Sequence, residues 1–555
     1  MKTRLLAAFI ATCLAVPAAH AAIIPVNEDA DGVGLNDPTA RAPEGGNPGT
    51  TVGEQRRIVY QFAADLWGST LTSNIDVKVA ASFAGLTCDA SSAVLGSAGT
   101  YWISVDSSFP LPSAWYHQAL ANQLAGRNIM QEDAPGDYAT APYEIVSQFN
   151  ANLGQTGCLE GSGWYYGLDG NTPAGMISFL DVVMHEIGHG LGFSGFMNKN
   201  TGALANYDGT PRSDPYTHFA YDNVTGARFD DAAMTNALRK TSITTPGRAS
   251  WDGGITKAQV PNFLATALKL DITGTITTSF ASFGTALFGP AATPANFAGD
   301  LVLGTDTGSS GDSNDGCEAY PAGTFTGKVA FINRGTCAFE AKTVNAQNAG
   351  AIGVIIGNVT SSGTPGTAPN MSDDPGYTAT IPAVSLNLAA ADTIRAQATG
   401  MHAALNPIAG QFTGADSGGR ALLYAPTSVS SGSTFSHFDT SLTPNALMEP
   451  FINDDLAANF RTDLTASVFA DEGWVLKSGT AKLGSKACDT KVPLYVAPGL
   501  MTGANLQAAD TLCTASYPTT TGRKSCITGF ASKLKAAGLI TSAQQTAITN
   551  CALRP

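Results

Sequence analysis

The sequence predicts an α+β chain of several domains. A mixed strand-and-helix domain is built round one apolar helix, interrupted by an α/β module, and followed by a small cysteine-rich helical tail. Three observations predict this. At 555 residues the chain exceeds what one hydrophobic core normally holds, so two or three domains are expected. A complete strand, turn, helix, strand pattern with its own glycine turns occupies Phe325 to Asn358, in the middle of the chain. From about Gly484 onward, four of the nine cysteines (Cys488, Cys513, Cys526, Cys551) sit among helix-like stretches such as Phe530 to Ala537.

In chain order, Met1 to Ala21 joins a basic start (Lys2, Arg4), an apolar run from Leu5 to Val16 and the ending Ala19-His-Ala21. That is the pattern of a cleaved secretory signal peptide, in a style that suggests bacterial export. No second run of transmembrane length follows, and the last residues carry no lipid-anchor signal, so a released extracellular protein is expected. Cys13 would leave with the signal, and eight cysteines would remain for disulfides. Sequence neighbours suggest Cys88 with Cys158 and Cys317 with Cys337; the last four allow three connectivities. Thirty Lys and Arg against 44 Asp and Glu become 28 against 44 once Lys2 and Arg4 are gone, a charge of −16. Such an acidic chain is a poor nucleic-acid binder. Oligomeric state is not legible.

Residues 22 to about 55 are rich in Gly, Pro, Asn and Asp and read as an extended, solvated arm. Asp and Asn there could bind Ca2+, but the spacing does not match an EF-hand loop. A helix is expected from Arg56 to Trp67, a strand from Ile75 to Phe83, short strands near Tyr101 to Val105, a helix near Ala114 to Leu124 and an apolar stretch from Tyr143 to Phe149. Mixed strands and helices of this kind build an α/β subdomain above a cleft.

The next segment carries the chemistry. Leu180 to Ser194 reads Leu-Asp-Val-Val-Met-His185-Glu186-Ile-Gly-His189-Gly-Leu-Gly192-Phe-Ser, with Ile177, Leu180, Val183, Met184, Ile187 and Leu191 at helical spacing. Histidines four apart lie on one helical face, so both rings can point at one ion while Glu186 reaches a water beside it. This is half of a zinc hydrolase site.

A catalytic zinc site usually has three protein ligands. In the compact form H-E-x-x-H-x-x-G-x-x-H the third follows three residues after the glycine, but that position is Gly195. No Glu occurs between Glu186 and Glu318, which lies in the inserted module. His117 precedes the motif and His402 falls at the end of the insert. His437 is favoured, because Met448 follows eleven residues later and a thioether in a turn can floor the metal-bound rings. His218, Asp208 and Asp222 stay as alternatives.

With His-Glu-Ile-Gly-His-Gly-Leu-Gly-Phe-Ser followed by Ser-His-Phe-Asp and Ala-Leu-Met-Glu-Pro, the chain resembles the leishmanolysin-like branch of the metzincin metallopeptidases, over about 30 residues. That branch separates the glycine from the third histidine by an insertion. The resemblance implies that His185, His189 and His437 bind zinc, that Glu186 is the catalytic base and that Met448 makes the Met-turn. Gly192 is the matching structural glycine.

The insert, 296–405, resembles the protease-associated (PA) domain, carried by Asn314-Asp-Gly-Cys317, Arg334-Gly335-Thr-Cys337-Ala-Phe339 and Asn345-Ala-Gln-Asn-Ala-Gly. The resemblance implies a lid or docking surface for protein substrates. The expected domains are thus a signal peptide (1–21), two halves of a metzincin-like peptidase domain (22–295 and 406–483) around the insert, and the tail (484–555). Within them, 196–295 has no assigned role, and Asp463 to Trp474 is expected to be a closing helix.

The function implied is a secreted zinc endopeptidase acting on protein or peptide substrates. A secreted binding or adhesion protein that keeps the zinc fold and works through the PA-like module is the rival, and Glu186 argues against it, since binding needs no base beside the metal. A hydrolase of a non-peptide amide or ester would carry the same motif.

Overall fold

The computed structural model describes residues 22–309, 312–397, 399–453 and 455–552. The expected signal peptide lies outside them. The chain forms two compact units: one runs up to Ala265 and resumes at Thr413, the other is Thr266–Phe412. In the first unit Thr413 N donates to Ala265 O at 2.9 Å, so the chain leaves and re-enters at one point. An insertion whose ends already touch costs the host little loop-closure entropy.

The first unit begins with a four-stranded sheet in the order Ile23–Asn27, Val77–Ala84, Ile145–Asn150, Gly96–Thr100. The first three strands run parallel, and Gly96–Thr100 is an antiparallel edge. The supposed arm is therefore corrected. Ile23 to Asn27 pair with Val77 to Ala81, and the polar residues that suggested solvation satisfy backbone instead. Asp29 accepts from Leu35 N (2.7 Å) and Phe83 N (3.0 Å), and buried Asn47 donates to Gln55 O and Tyr166 O. Asx side chains mimic backbone partners in turns, so such a composition suits an ordered loop equally well.

The helix Val52–Thr70 opens on a capping box between Thr51 and Glu54 and buries Tyr60, Phe62, Leu66 and Trp67. Trp67 Nε1 donates to Met184 O (3.0 Å), tying this helix to Phe179–Leu191. Phe179 packs edge-on against Phe149, Trp164 and Tyr166. The expected closing helix is Thr465–Glu472, and Trp474 beyond it donates Nε1–H to Leu191 O (3.0 Å), satisfying a terminal carbonyl of the Phe179–Leu191 helix.

The tail joins the hairpin Thr480–Leu483 with Cys488–Pro493 to the helices Thr502–Ser516, Thr520–Ala536 and Ser542–Ala552. Disulfides link Cys88–Cys158, Cys317–Cys337, Cys488–Cys551 and Cys513–Cys526. The first two are the expected pairs. Four disulfides fit an oxidising, extracellular setting, and no helix among the described residues is long and apolar enough to cross a membrane.

The second unit starts before residue 296. The strand Thr266–Gly274 pairs antiparallel with Met401–Phe412, at the side of an eight-stranded sheet whose middle strands (Ala298–Leu303, Val329–Asn333, Gly353–Gly357, Ala383–Leu386) run parallel. Its alternation Leu268, Leu270, Ile272 against Lys269, Asp271, Thr273 is a strand signal that the boundary at 296 missed.

Candidate metal centre

The helix Phe179–Leu191 is capped by Ser178, whose hydroxyl accepts from Asp181 N, and is buried along its whole length. Four-residue spacing puts His185 and His189 on one face with their Nε2 atoms 3.0 Å apart. His437 arrives from the loop after Ser433, its Nε2 3.2 Å from that of His185.

Each ring is oriented by a backbone carbonyl. Nδ1 lies 2.7 Å from Leu447 O for His185, 2.8 Å from Phe193 O for His189 and 2.7 Å from Ser433 O for His437. A carbonyl oxygen only accepts, so each Nδ1 carries the proton and each Nε2 presents a lone pair. Three lone pairs aimed at one point repel one another, and the contacts between Nε2 atoms are therefore not hydrogen bonds. Burial keeps all three rings neutral. It lowers His185 to about 4, against the Leu447 carbonyl, and holds His189 and His437 well below the usual imidazole value, with the neighbouring imidazoles adding to it. Zinc held tetrahedrally at its usual Zn–N distance spaces two ligand nitrogens by about 3.3 Å, so the donor set fits such an ion. The three histidines form a group that could hold a metal.

Glu186 is buried beside them, and its Oε2 has no hydrogen-bond partner. Burial pushes its carboxyl up to about 8, opposed by the Ala98 backbone N–H. A Cβ added to Gly96 would stand 2.6 Å from Glu186 Oε1, which places the carboxylate against the edge strand Gly96–Thr100.

Gly192 ends the helix at φ 150°, where a side chain would be strained and would strike the Glu472 carboxylate. Met448 is wholly buried under the helix; a Cβ on Gly188 would lie 2.9 Å from its sulfur.

The alternative third ligands are engaged elsewhere. His218 bonds Asp230 (2.7 Å) and Arg228, Asp208 pairs with Arg212 (2.9 Å), and Asp222 pairs with Arg248 (2.9 Å). His117 is buried against Ser194 and Phe196. His402, in the second unit, faces Asp300.

Three contributors had no usable sequence signal. Asp463 accepts from Leu447 N and so fixes the turn that orients His185. Tyr216 donates its hydroxyl to Phe435 O (2.8 Å), two residues before His437. Lys199, lowered by burial to about 8, reaches Ser431 O (3.3 Å) and Gly432 O (3.4 Å) in the same loop. The orienting carbonyls of Leu447, Phe193 and Ser433 belong to no residue type at all.

Residues 297–394 match the PA domain family. An aminopeptidase of Pseudomonas aeruginosa (strain UCBPP-PA14) is 50% identical over 60 residues, 11% of this chain and 10% of that protein, and its counterpart in a second strain of the species matches equally. The chain thus spans about a tenth of the length of these curated relatives. Among solved structures, the zinc aminopeptidase BSAP from Bacillus subtilis is 20% identical, covering 28% of this chain and 36% of that one, at a TM-score of 0.18. A peptidase M28 precursor from Shewanella amazonensis is 19% identical, covering 27% and 40%, at 0.19. Likenesses this low carry no argument about the histidine-bearing unit. What the comparisons establish is the PA domain.

Proposed function

We propose that the chain is an exported zinc endopeptidase of the metzincin type, close to the leishmanolysin-like branch, hydrolysing peptide bonds of protein substrates. His185, His189 and His437 are its metal ligands, Glu186 its general base and Met448 the floor of the site. The observation that carries this reading is the convergence of three neutral Nε2 lone pairs, each backed by a carbonyl on Nδ1, next to a buried glutamate.

Bound zinc supplies acidification of a water and polarisation of the scissile carbonyl. Glu186 takes the proton of the attacking water and passes it to the leaving amine. Its unpartnered Oε2 is the atom available for that transfer. The edge strand Gly96–Thr100 supports an endopeptidase, since an extended substrate can add along its free side and run past Glu186 in both directions. The PA domain supports protein substrates, and the aminopeptidase names of its relatives make end-specific cleavage the comparison to run.

The test is zinc content together with hydrolysis of casein and of one peptide with free and acetylated N-termini. One zinc per chain with equal cleavage of both peptides supports the proposal. Cleavage of the free form alone would make the chain an aminopeptidase. Zinc without any cleavage would favour a binding protein working through its PA domain.

A further inference from the structure

The disulfide Cys317–Cys337 lies in the Thr266–Phe412 unit, among the residues that match the PA domain. Its two sulfurs have different surroundings. The ammonium of Lys342 stands 3.3 Å from Cys317 Sγ, and the backbone N–H of Cys337 donates to the same sulfur at 3.2 Å. Among the described residues no donor reaches Cys337 Sγ, and no other disulfide has a cation on either sulfur; Cys158 meets the Asn150 amide, at 3.7 Å.

A disulfide sulfur is a weak acceptor, so two donors on it contribute little while the bond is intact. A thiolate in the same place would take both as charge-assisted hydrogen bonds. Lys342 is held ready for it, since its side chain is fully buried and its ammonium also donates to Asp315 O. Cys337 stands just before the helix Phe339–Asn348, which has no side-chain cap, and the free N–H groups there favour negative charge.

Burial lowers the Lys342 pKa, and the charges of Asp315, Asp312, Asp306 and Glu318 oppose it. Those carboxylates also repel a thiolate, so the leaving group depends on the contact between the ammonium and the sulfur. Both cysteines are half-buried, and Gly335 and Thr336 beside Cys337 are exposed, so a reagent can reach the bond. Cysteines next to a lysine or at a helix N-terminus have lowered pKa values, and a disulfide opens faster when the thiol it expels has a low pKa.

We propose that Cys317–Cys337 is an exchangeable disulfide, opened by low-molecular-weight thiols at Cys337, with Cys317 as the leaving group and Lys342 as the residue that stabilises it. The reagent thiolate forms a bond to Cys337 Sγ, the bond between the two cysteine sulfurs breaks, and Cys317 Sγ departs with the electron pair as a thiolate against Lys342. The product is a mixed disulfide on Cys337. A second reagent thiolate attacks the reagent sulfur of that mixed disulfide and releases Cys337 as a thiolate. Two reagent thiols thus lose two electrons to form their own disulfide, and the cysteine pair gains them.

The bond ties the loop that carries Cys317 to the start of the helix Phe339–Asn348, so the exchange is a modification of the PA domain itself. The asymmetry fixes which sulfur is attacked, because the opposite attack would expel Cys337, whose sulfur has no donor to receive its charge among the described residues. The proposal does not rest on the peptidase reading, and its test does not read activity.

The experiment treats the folded full chain with excess reduced glutathione, stops the reaction early with N-ethylmaleimide, and maps the modified cysteines by peptide mass spectrometry. Wild type, Lys342→Met and a control, Lys257→Met, at an exposed lysine of the other unit, are compared. In wild type and control, glutathione is expected on Cys337 and maleimide on Cys317, with the other three disulfides intact. Lys342→Met should react at least about fivefold more slowly, because the expelled thiol loses its ammonium. Glutathione mainly on Cys317, another disulfide opening as fast, no reaction in wild type, or a slowing of less than about fivefold in Lys342→Met overturns the proposal. Should Lys342→Met fail to fold, the position of glutathione in wild type decides.

Discussion

His185 Nδ1 stands 2.7 Å from the carbonyl oxygen of Leu447, 262 residues further along the chain. That bond fixes the tautomer of the first histidine, and the residue bearing its acceptor is followed by Met448, whose sulfur underlies the same helix. Leu447 is in turn held through its N–H by Asp463. The helix and the turn thus form one device, although the PA-bearing unit separates them in sequence.

Glu186→Gln should retain zinc and lose turnover by about 10²- to 10⁴-fold, the usual worth of a positioned general base. Zinc analysis and casein hydrolysis on the same sample check it. Turnover within a factor of ten of wild type would remove Glu186 from that role.

His437→Ala should lose both zinc and activity, whereas His218→Ala, at a half-buried hydrogen bond to Asp230, should lose neither. Stripping wild type with a chelator should lower its thermal midpoint, since an ion at 1,000 times its dissociation constant contributes about 4 kcal/mol. If His437→Ala keeps full zinc occupancy, the third ligand is a different residue.

Gly188→Ala should gain up to about 1 kcal/mol of helix propensity, yet weaken zinc binding by pressing on Met448. In the double variant Gly188→Ala with Met448→Ala the pressure is relieved, so the two effects should couple by about 0.5–3 kcal/mol in zinc affinity. Strictly additive effects would mean that the thioether does not support the site.

Glu472 is buried without a partner for either carboxyl oxygen, and burial, then Asp214 and Asp471, hold its pKa well above the ordinary value. The folded state therefore keeps a proton that the unfolded chain releases near pH 4.3. The stability this brings is full below that pH and falls as pH rises, until the native carboxyl itself ionises. Thermal midpoints of the metal-free protein at pH 4.5, 6 and 8 should show Glu472→Gln gaining on wild type as pH rises. Parallel profiles would contradict the assignment.

Local patterns were legible because local physics makes them. Histidines four apart on an apolar helix must share a face, the helix expected from Arg56 and the strand expected from Ile75 to Phe83 rest on patterns a few residues long, and Cys88 with Cys158 and Cys317 with Cys337 could be paired by order alone. The arm was misread because Asp29 and Asn47 have the composition of a solvated loop while bonding buried backbone. The boundary at 296 was misread because the partner of Thr266–Gly274 lies at Met401–Phe412. What the sequence by itself determined was the chemistry on offer: two imidazoles and a glutamate on one helix, with His437 and Met448 as the companions to seek. Only the tertiary structure decided which groups meet. It brought His437 rather than His218, Asp208 or Asp222 to the pair, and it chose the carbonyls of Leu447, Phe193 and Ser433 to hold the three rings. The reason is that a carbonyl is present in every residue, so its aim follows from the backbone path and leaves no mark in the order of side chains.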